Sequence, residues 1–207
     1  FVLLMLPIAI GKGRRQQRIA ARLQDFRREE TLRAFGPQLD TPEYRLDRAR
    51  FDRTGMFQPL TGETITGRYE GVCEGLHFSA ANVRLRVPNT APQSNSLDAV
   101  CFDGVWIFCR LAEPVSPSVT LFENPKSKLG RRDRNTGDMH TDDPEFDRVY
   151  SVFSDDPAAA LAVLTPQRMA LLRRLAEETD GEVLLCLSGD ELNLGLRTEH
   201  GLFELDD

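Results

Sequence analysis

The chain has 207 residues, of which 41% are hydrophobic, so it can bury one sizeable core and a single main domain is expected. The net charge of −6 hides an asymmetry: residues 11–53 carry 12 basic and 7 acidic side chains, whereas residues 54–207 carry 14 and 25. Nucleic-acid binding needs a basic face on the folded domain, so the acidic main domain argues against that class.

The first ten residues carry no charge and run directly into a cluster of basic residues. At about 1.5 Å per helical residue they cover about half of a ~30 Å hydrocarbon core, so we expect them to end a longer membrane segment. A signal peptide would carry its positive charges before the apolar run, which is the reverse of the order here. The positive-inside rule predicts that the chain from Lys12 onward lies in the cytoplasm, at the inner membrane.

Residues 11–53 are predicted to form a basic, helical juxtamembrane arm. Apolar side chains recur at three- and four-residue steps over residues 14–35, which predicts an amphipathic helix. Gly36 and Pro37 end that helix, and the type of the short segment after Pro42 stays open. The acidic domain, residues 54–207, is expected to stand off an anionic bilayer.

The next part of the chain predicts β-strands. Apolar and polar residues alternate over residues 64–72 and 83–87, as in strands with one solvent-exposed face. Residues 89–96 are polar and predict a surface loop. The strongest strand, 99–111, is apolar on both faces near its middle, which is typical of a central strand. Residues 119–122 predict a further short strand.

A polar stretch over residues 123–143 follows. A structureless loop of this length usually has a function or is disordered. Its basic side chains are candidate contacts with anionic lipid head groups or an acidic protein surface, and the alternative is a solvated loop. The candidate residues are Lys126, Lys128, Arg131, Arg132 and Arg134.

The last part predicts a strand at 147–153, helices at 158–163 and 167–179, and a hairpin that joins 183–187 to 192–196. The chain as a whole predicts an α+β fold. We expect a mainly antiparallel sheet of about five to seven strands, one covering helical segment, and the N-terminal amphipathic helix as a stalk or extra layer.

The cysteines are scattered without a C-x-x-C pair, which in a reducing cytoplasm is typical of small buried side chains. Cys73 and His77 are four residues apart and, with Cys101 or Cys109, have the residue types of a mixed zinc site. In a strand, two side chains at this spacing do not converge on one metal ion as they would on a helix. The sequence therefore predicts no metal and no cofactor.

Nucleophilic catalysis would need a Cys or Ser beside His77, His140 or His200, but there is no nucleophile elbow, oxyanion-hole motif or H-E-x-x-H helix. The acidic pairs at 142–143 and 155–156 each lie within two residues of a proline. We therefore interpret them as turn and helix-cap residues rather than an acid–base pair.

Four stretches together resemble the bacterial family catalogued as domain of unknown function 3137. They are TGMF at 54–57, FDGVWIF at 102–108, DPEFD at 143–147 running to VYS at 149–151, and SDDP at 154–157 running through LTPQRM at 164–169. The resemblance implies a membrane anchor and a cytoplasmic domain without an assigned activity, and it supplies no catalytic residues. Residues 158–160, three alanines, depart from the more polar helix turn expected of the family.

The sequence favours a membrane-anchored interaction or scaffold domain without catalysis, which binds a protein partner through a sheet edge or groove. Two alternatives stay open. One is a peripheral domain that binds anionic lipid through the basic arm and loop. The other is an unrecognised hydrolase that uses Cys73, Cys101 or His77.

Overall fold

The computed structural model describes residues 42–73, 75–89, 97–123, 139–179 and 181–198. Within these ranges the chain forms a 3₁₀ turn (Pro42–Tyr44), four α-helices and five β-strands. The helices are α1 (Arg48–Thr54), α2 (Pro144–Val149), α3 (Pro157–Val163) and α4 (Pro166–Glu178). The strands are β1 (Gly62–Cys73), β2 (Leu76–Pro88), β3 (Asp98–Glu123), β4 (Tyr150–Ser154) and β5 (Val183–Arg197). This antiparallel five-stranded sheet with its helices confirms the predicted α+β class.

The 26-residue strand β3 organises the sheet. One edge of β3 pairs first with β2, at residues 98–109, and then with β4, at residues 119–123. The other edge pairs with β5 from Gly104 to Phe122. The two strands predicted at 99–111 and 119–122 are thus one continuous central strand, and β1 follows β2 at the outside of the sheet.

The ribbon formed by β3 and β5 bends sharply in its middle. Its register shifts twice between Arg110 and Val119, and Gly189 adopts φ 57°, which an L side chain rarely adopts. A straight 15-residue strand would be about 50 Å long. The two ends of β5 instead meet, since the N–H of Arg197 donates to the carbonyl of Glu182 at 2.8 Å. The predicted terminal hairpin is therefore wrong, because both halves of β5 pair with β3.

The inner cluster is the hydrophobic core on the face enclosed by this bend. Phe102, Trp106 and Phe108 come from the first half of β3, and Leu184 and Cys186 come from the start of β5. The segment that contains α1 contributes five further large side chains. These are Leu46, Phe51, Met56, Phe57 and Leu60. Residues 42–53, which the sequence analysis assigned to the arm, therefore share their core with the sheet.

The outer cluster lies on the opposite face of the second half of the sheet, under α2, α3 and α4. Phe146 of α2, Ala160 of α3 and Met169 of α4 belong to one hydrophobic cluster with Val119 and Leu121 of β3. The side chains of Asp156 and Thr165 accept hydrogen bonds from Ala159 N–H and Arg168 N–H, so they cap α3 and α4.

The predicted strand at 147–153 is correct only from Tyr150 onward. The carboxylate of Asp143 accepts hydrogen bonds from Glu145 N–H at 3.0 Å and Phe146 N–H at 3.1 Å. With Pro144 in the first turn, this cap starts a helix that continues to Val149 and buries Phe146. The alternation of 147–153 therefore mixes the end of a helix with a strand.

In the part of the chain that the structure describes, none of the helices has the length and apolar character needed to cross a bilayer. The uncharged residues 1–10 and the amphipathic helix predicted at 14–35 lie outside the described residues.

Candidate functional site

Among the described residues, the sheet has three outer edges where a further strand could pair, and two of them are partly blocked. Met139 reaches the free side of β4, where its N–H donates to the carbonyl of Val152 at 2.9 Å. Met139 is itself buried in the outer cluster. The chain that returns after residues 124–138 therefore blocks β4 at its middle.

The second edge, along β5, is closed where the two ends of that strand meet. Besides the backbone bond, Nε of Arg197 lies 2.9 Å from a carboxylate oxygen of the fully buried Glu182. Arg197 also donates to the carbonyl of Cys101 at 2.8 Å. Burial lowers the pKa of Arg197, although Cys101 and Asp103 oppose the shift. A side chain at Gly181 would overlap the carbonyl of Arg197, so this closure needs glycine there.

The third edge is the outer side of β1, which among the described residues pairs with β2 alone. In an antiparallel pair, every second residue of an edge strand directs its N–H and C=O away from its neighbour. The outer side of β1 therefore presents a row of backbone donors and acceptors.

A β-bulge divides this edge. The register with β2 skips between Thr66 and Tyr69, and Gly67 adopts φ 58°. Beyond the bulge, Arg68 turns inward and donates to the carbonyl of Leu46 at 3.2 Å. Bulges and charges of this kind protect sheet edges from pairing. The regular part, residues 62–66, is here called the edge segment and is about 17 Å long.

The edge segment presents different side chains on its two faces. Ile65 is half-buried against the inner cluster, whereas Glu63, Thr64 and Thr66 are exposed. An added strand would thus meet backbone groups in its plane and a mixed apolar and polar surface on either side. This arrangement suits an extended peptide, since main-chain bonds give affinity and the flanking side chains give selectivity.

A buried arginine fixes the segment that contains α1. The guanidinium of Arg50 donates to the carbonyls of Arg45 and Glu43 at 3.0 and 2.7 Å, and to the Glu191 carboxylate at 3.1 Å. Its Cζ lies 3.4 Å from the centroid of the Phe108 ring. Burial lowers the pKa of Arg50, while Glu191 raises it. We call this contact set the Arg50 clasp.

Sequence reasoning did not find the Arg50 clasp. Arg50 lies between Arg48 and Arg53 on a short helix, and nothing in the pattern separates the buried arginine from its exposed neighbours. Its carboxylate partner lies 141 residues further along the chain. Spacing patterns between residues that are close in sequence cannot indicate such a long-range contact.

The five candidate anionic-surface contacts, Lys126, Lys128, Arg131, Arg132 and Arg134, lie outside the described residues. Their role stays a prediction.

Two of the candidate metal and nucleophile residues, Cys101 and His77, lie near opposite ends of β2. Cys101 is fully buried beside Leu85, to whose carbonyl its thiol donates at 3.5 Å, and burial raises its pKa to about 11. Exposed His77 lies near the other end of β2, one residue before the Phe78–Cys109 pair, and its ring contacts Tyr44. Within the described ranges, no group of three or more His, Cys, Asp or Glu side chains could hold a metal ion.

His140 has a carboxylate neighbour. Its Nδ1 lies 3.5 Å from an oxygen of Asp147, which also accepts bonds from the N–H and hydroxyl of Thr141. The described residues show no hydrogen bond from His140 to a Ser or Cys side chain. Asp143 and Asp156, the second members of the two acidic pairs, are helix caps, as the sequence predicted.

The sequence profile of one family, described as "Protein of unknown function (DUF3137)", matches residues 100–207, slightly more than half of the chain. The matched range includes three of the four stretches on which the resemblance rests, and TGMF at 54–57 lies outside it. No curated protein and no solved structure matches this chain.

Proposed function

Because the chain belongs to the DUF3137 family, whose description assigns no function, we propose a role for it from its geometry. It is an interaction domain without catalysis, held at the cytoplasmic face of the membrane by its N-terminal segment. It binds an extended segment of a protein partner along the edge segment of β1.

The observation that carries this proposal is the contrast among the three sheet edges. Met139 occupies the middle of β4, and Glu182 and Arg197 close β5. The edge segment of β1 pairs on one side only among the described residues, and its strand is regular over residues 62–66. Strand addition to such an edge is a common way for a sheet to recognise a peptide.

The surroundings of the edge segment support binding without large rearrangement. Ile65 packs against the inner cluster, and the neighbouring Arg68 is bonded to the segment that contains α1. That segment is in turn fixed by the Arg50 clasp. An edge held in one conformation loses little conformational entropy when a partner strand pairs with it.

The membrane part of the proposal rests on sequence. The uncharged residues 1–10 are followed by a basic run, and the positive-inside rule assigns such a run to the cytoplasm. The non-catalytic part rests on the separation of Cys101 from His77. Cys101 is buried with a raised pKa, which makes it a poor nucleophile, and His77 lies near the other end of β2.

The first test is affinity purification of the full chain from native membranes, followed by mass spectrometry. The control lacks residues 39–207 and so keeps the N-terminal segment without the domain. A protein recovered with the full chain and lost from the control is the expected result. Recovery of lipid alone, or of no reproducible protein, would overturn the proposed function and favour the lipid or enzyme alternatives.

A pair of proline variants tests the edge itself. Adjacent residues of a strand direct their N–H groups to opposite sides, and proline has no N–H. Of the two variants Thr64→Pro and Ile65→Pro, one therefore loses a hydrogen bond to β2. The other loses only an N–H that points away from the sheet. The second is recognised as the variant that keeps the thermal stability of the wild type. We expect it to lose the partner, whereas Thr64→Val, which keeps the backbone donor, should retain it. Equal recovery by all three would exclude this edge.

A further inference from the structure

Two arginines of β2 flank the edge segment on the sheet face opposite the inner cluster. Directly paired residues of a sheet share a face, so Arg86 lies beside Gly62 and Arg84 lies beside Thr64. Arg84 is already bound, since its Nε and Nη2 contact one carboxylate oxygen of Asp103 at 2.8 and 2.7 Å. The guanidinium of Arg86, by contrast, has no hydrogen-bond or ion-pair partner among the described residues.

The side chain of Arg86 extends from β2 to the backbone of β1. Its Nη1 lies 3.6 Å from the position that a Cβ would take at Gly62. Because Gly62 has no side chain, nothing at that residue separates the guanidinium from a strand added on the outer side of β1. Arg86 is half-buried. Partial burial strengthens a pair with a carboxylate, because water and salt screen it less.

The other face of the edge segment has a different chemistry. Glu63 pairs with Leu85 and Ile65 pairs with Val83, and both of these β2 residues belong to the inner cluster. Ile65 is half-buried against that cluster, whereas Glu63 is exposed. A side chain added beside Ile65 would bury apolar area, and an acidic side chain added on this face would meet the negative charge of Glu63.

We propose that the partner segment carries an acidic side chain opposite Gly62, where its carboxylate binds Arg86, and an apolar side chain opposite Ile65. This inference rests on the proposed function, because both contacts require a strand paired along the edge segment. Gly62 and Ile65 are three residues apart, so the acidic and apolar side chains of the partner have the same spacing and lie on opposite faces of the added strand. The pair of carboxylate and guanidinium then sets the register of that strand.

A library of random peptides displayed on phage and selected against the full chain in detergent tests the motif. The affinity of each selected peptide is measured by fluorescence anisotropy, for the wild type and for the proline variant of the edge segment that keeps wild-type stability. Peptides that lose binding to the proline variant are defined as edge ligands. We expect them to share an Asp or Glu three residues from an apolar residue.

Arg86→Gln should weaken the binding of these edge ligands about tenfold, because it removes the charge-assisted hydrogen bonds to the acidic residue. Arg84→Gln is the matched control. It removes the same charge two residues away, so an attraction that acts only at long range would fall equally in both variants. We expect a clearly smaller loss for Arg84→Gln, because Asp103 already binds that guanidinium.

A second selection, against Arg86→Glu, should yield peptides with Lys or Arg in place of the acidic residue, at the same distance from the apolar one. The melting temperature of each variant shows whether the domain is folded. Edge ligands that show no acidic preference, or that bind Arg86→Gln as tightly as the wild type or only as weakly as Arg84→Gln, would overturn this inference and leave the proposed function standing. A selection without any edge ligand would overturn both.

Discussion

The inner and outer clusters pack on opposite faces of the same two strands, β3 and β5, but they are assembled differently. The outer cluster draws its buried residues from one stretch, Val119 to Leu185, and its three helices begin at side-chain caps. The inner cluster joins residues from Leu46 to Cys186 and contains six of the buried aromatic side chains among the described residues. Local sequence signals determine the outer cluster, whereas the inner cluster depends on contacts between distant parts of the chain.

This difference teaches where the domain is vulnerable. The inner cluster is closed by a short segment, residues 42–60, whose helix α1 has only seven residues. A helix of that length is not stable alone in water, so its position depends on Phe51 and the Arg50 clasp. Substitutions at those contacts should cost more than substitutions at the caps of the outer cluster.

The largest effect is expected for Phe51→Ala. The Phe51 ring meets Trp106 edge-on at a centroid distance of 5.3 Å, and its removal leaves a cavity in the inner cluster. We expect a loss of about 3–5 kcal/mol in the free energy of unfolding. Urea titration followed by the fluorescence of Trp106, the single tryptophan, measures it. Leu171→Ala, at a residue 66% exposed on α4, is the control and should change stability by less than about 0.5 kcal/mol.

Glu191→Ala breaks the clasp from the other side. It leaves the buried guanidinium of Arg50 without its carboxylate, which should cost about 3 kcal/mol. Asp190→Ala, next in sequence, removes only the half-exposed pair with Arg110 and should cost less than about 1 kcal/mol. Equal losses in the two variants would mean that the clasp does not hold α1.

Cys101, in the inner cluster, predicts that the free energy of unfolding falls at alkaline pH. Burial raises the pKa of its thiol from 9.0 to about 11, so the unfolded chain loses this proton before the folded one. Its contribution to stability is complete below pH 9 and falls by up to about 2.7 kcal/mol as the pH rises to 11. Cys101→Ala should not show this part of the decline in the free energy of unfolding. Cys109→Ala, which removes a half-buried thiol and leaves Cys101 in place, should show it. Unfolding titrations at pH 8 and 10.5 compare them.

The smallest effect is expected at the helix caps of the outer cluster. Asp156→Ala removes the acceptor for the N–H of Ala159 and should cost about 1 kcal/mol. Asp155→Ala, the exposed neighbour, makes no cap and should change the melting temperature little. A larger loss for Asp155→Ala than for Asp156→Ala would contradict the assigned cap.

The sequence predicts the outer cluster better than the inner one, because the outer cluster depends on signals between residues close in sequence. Asp156, Thr165 and their prolines act within a few residues, so both helices could be predicted at nearly their observed bounds. The central strand was likewise visible in the two apolar faces of residues 99–111. The bend at Gly189 was mistaken for a hairpin turn, because alternation reveals a strand but not its neighbour.

The contacts that close the domain had no local pattern. Arg50 and Glu191, or Glu182 and Arg197, are ordinary charged residues in sequence, and only the fold brings them together. Residues 64–66 of the edge segment lie within the strand predicted at 64–72, but the position of that strand at the outside of the sheet depends on strand order. A sheet edge as the binding surface is therefore only a general expectation at the level of sequence, and the choice of the β1 edge is a proposal.

Hydrogen exchange of the full chain with and without its captured partner tests the central claim most directly. Strand addition at β1 predicts new protection of the outward N–H groups in residues 62–66, and unchanged exchange in β4, whose edge Met139 already occupies. Protection confined to α2, α3 and α4, with residues 62–66 unchanged, would contradict it and transfer the binding surface to the helical side of the domain.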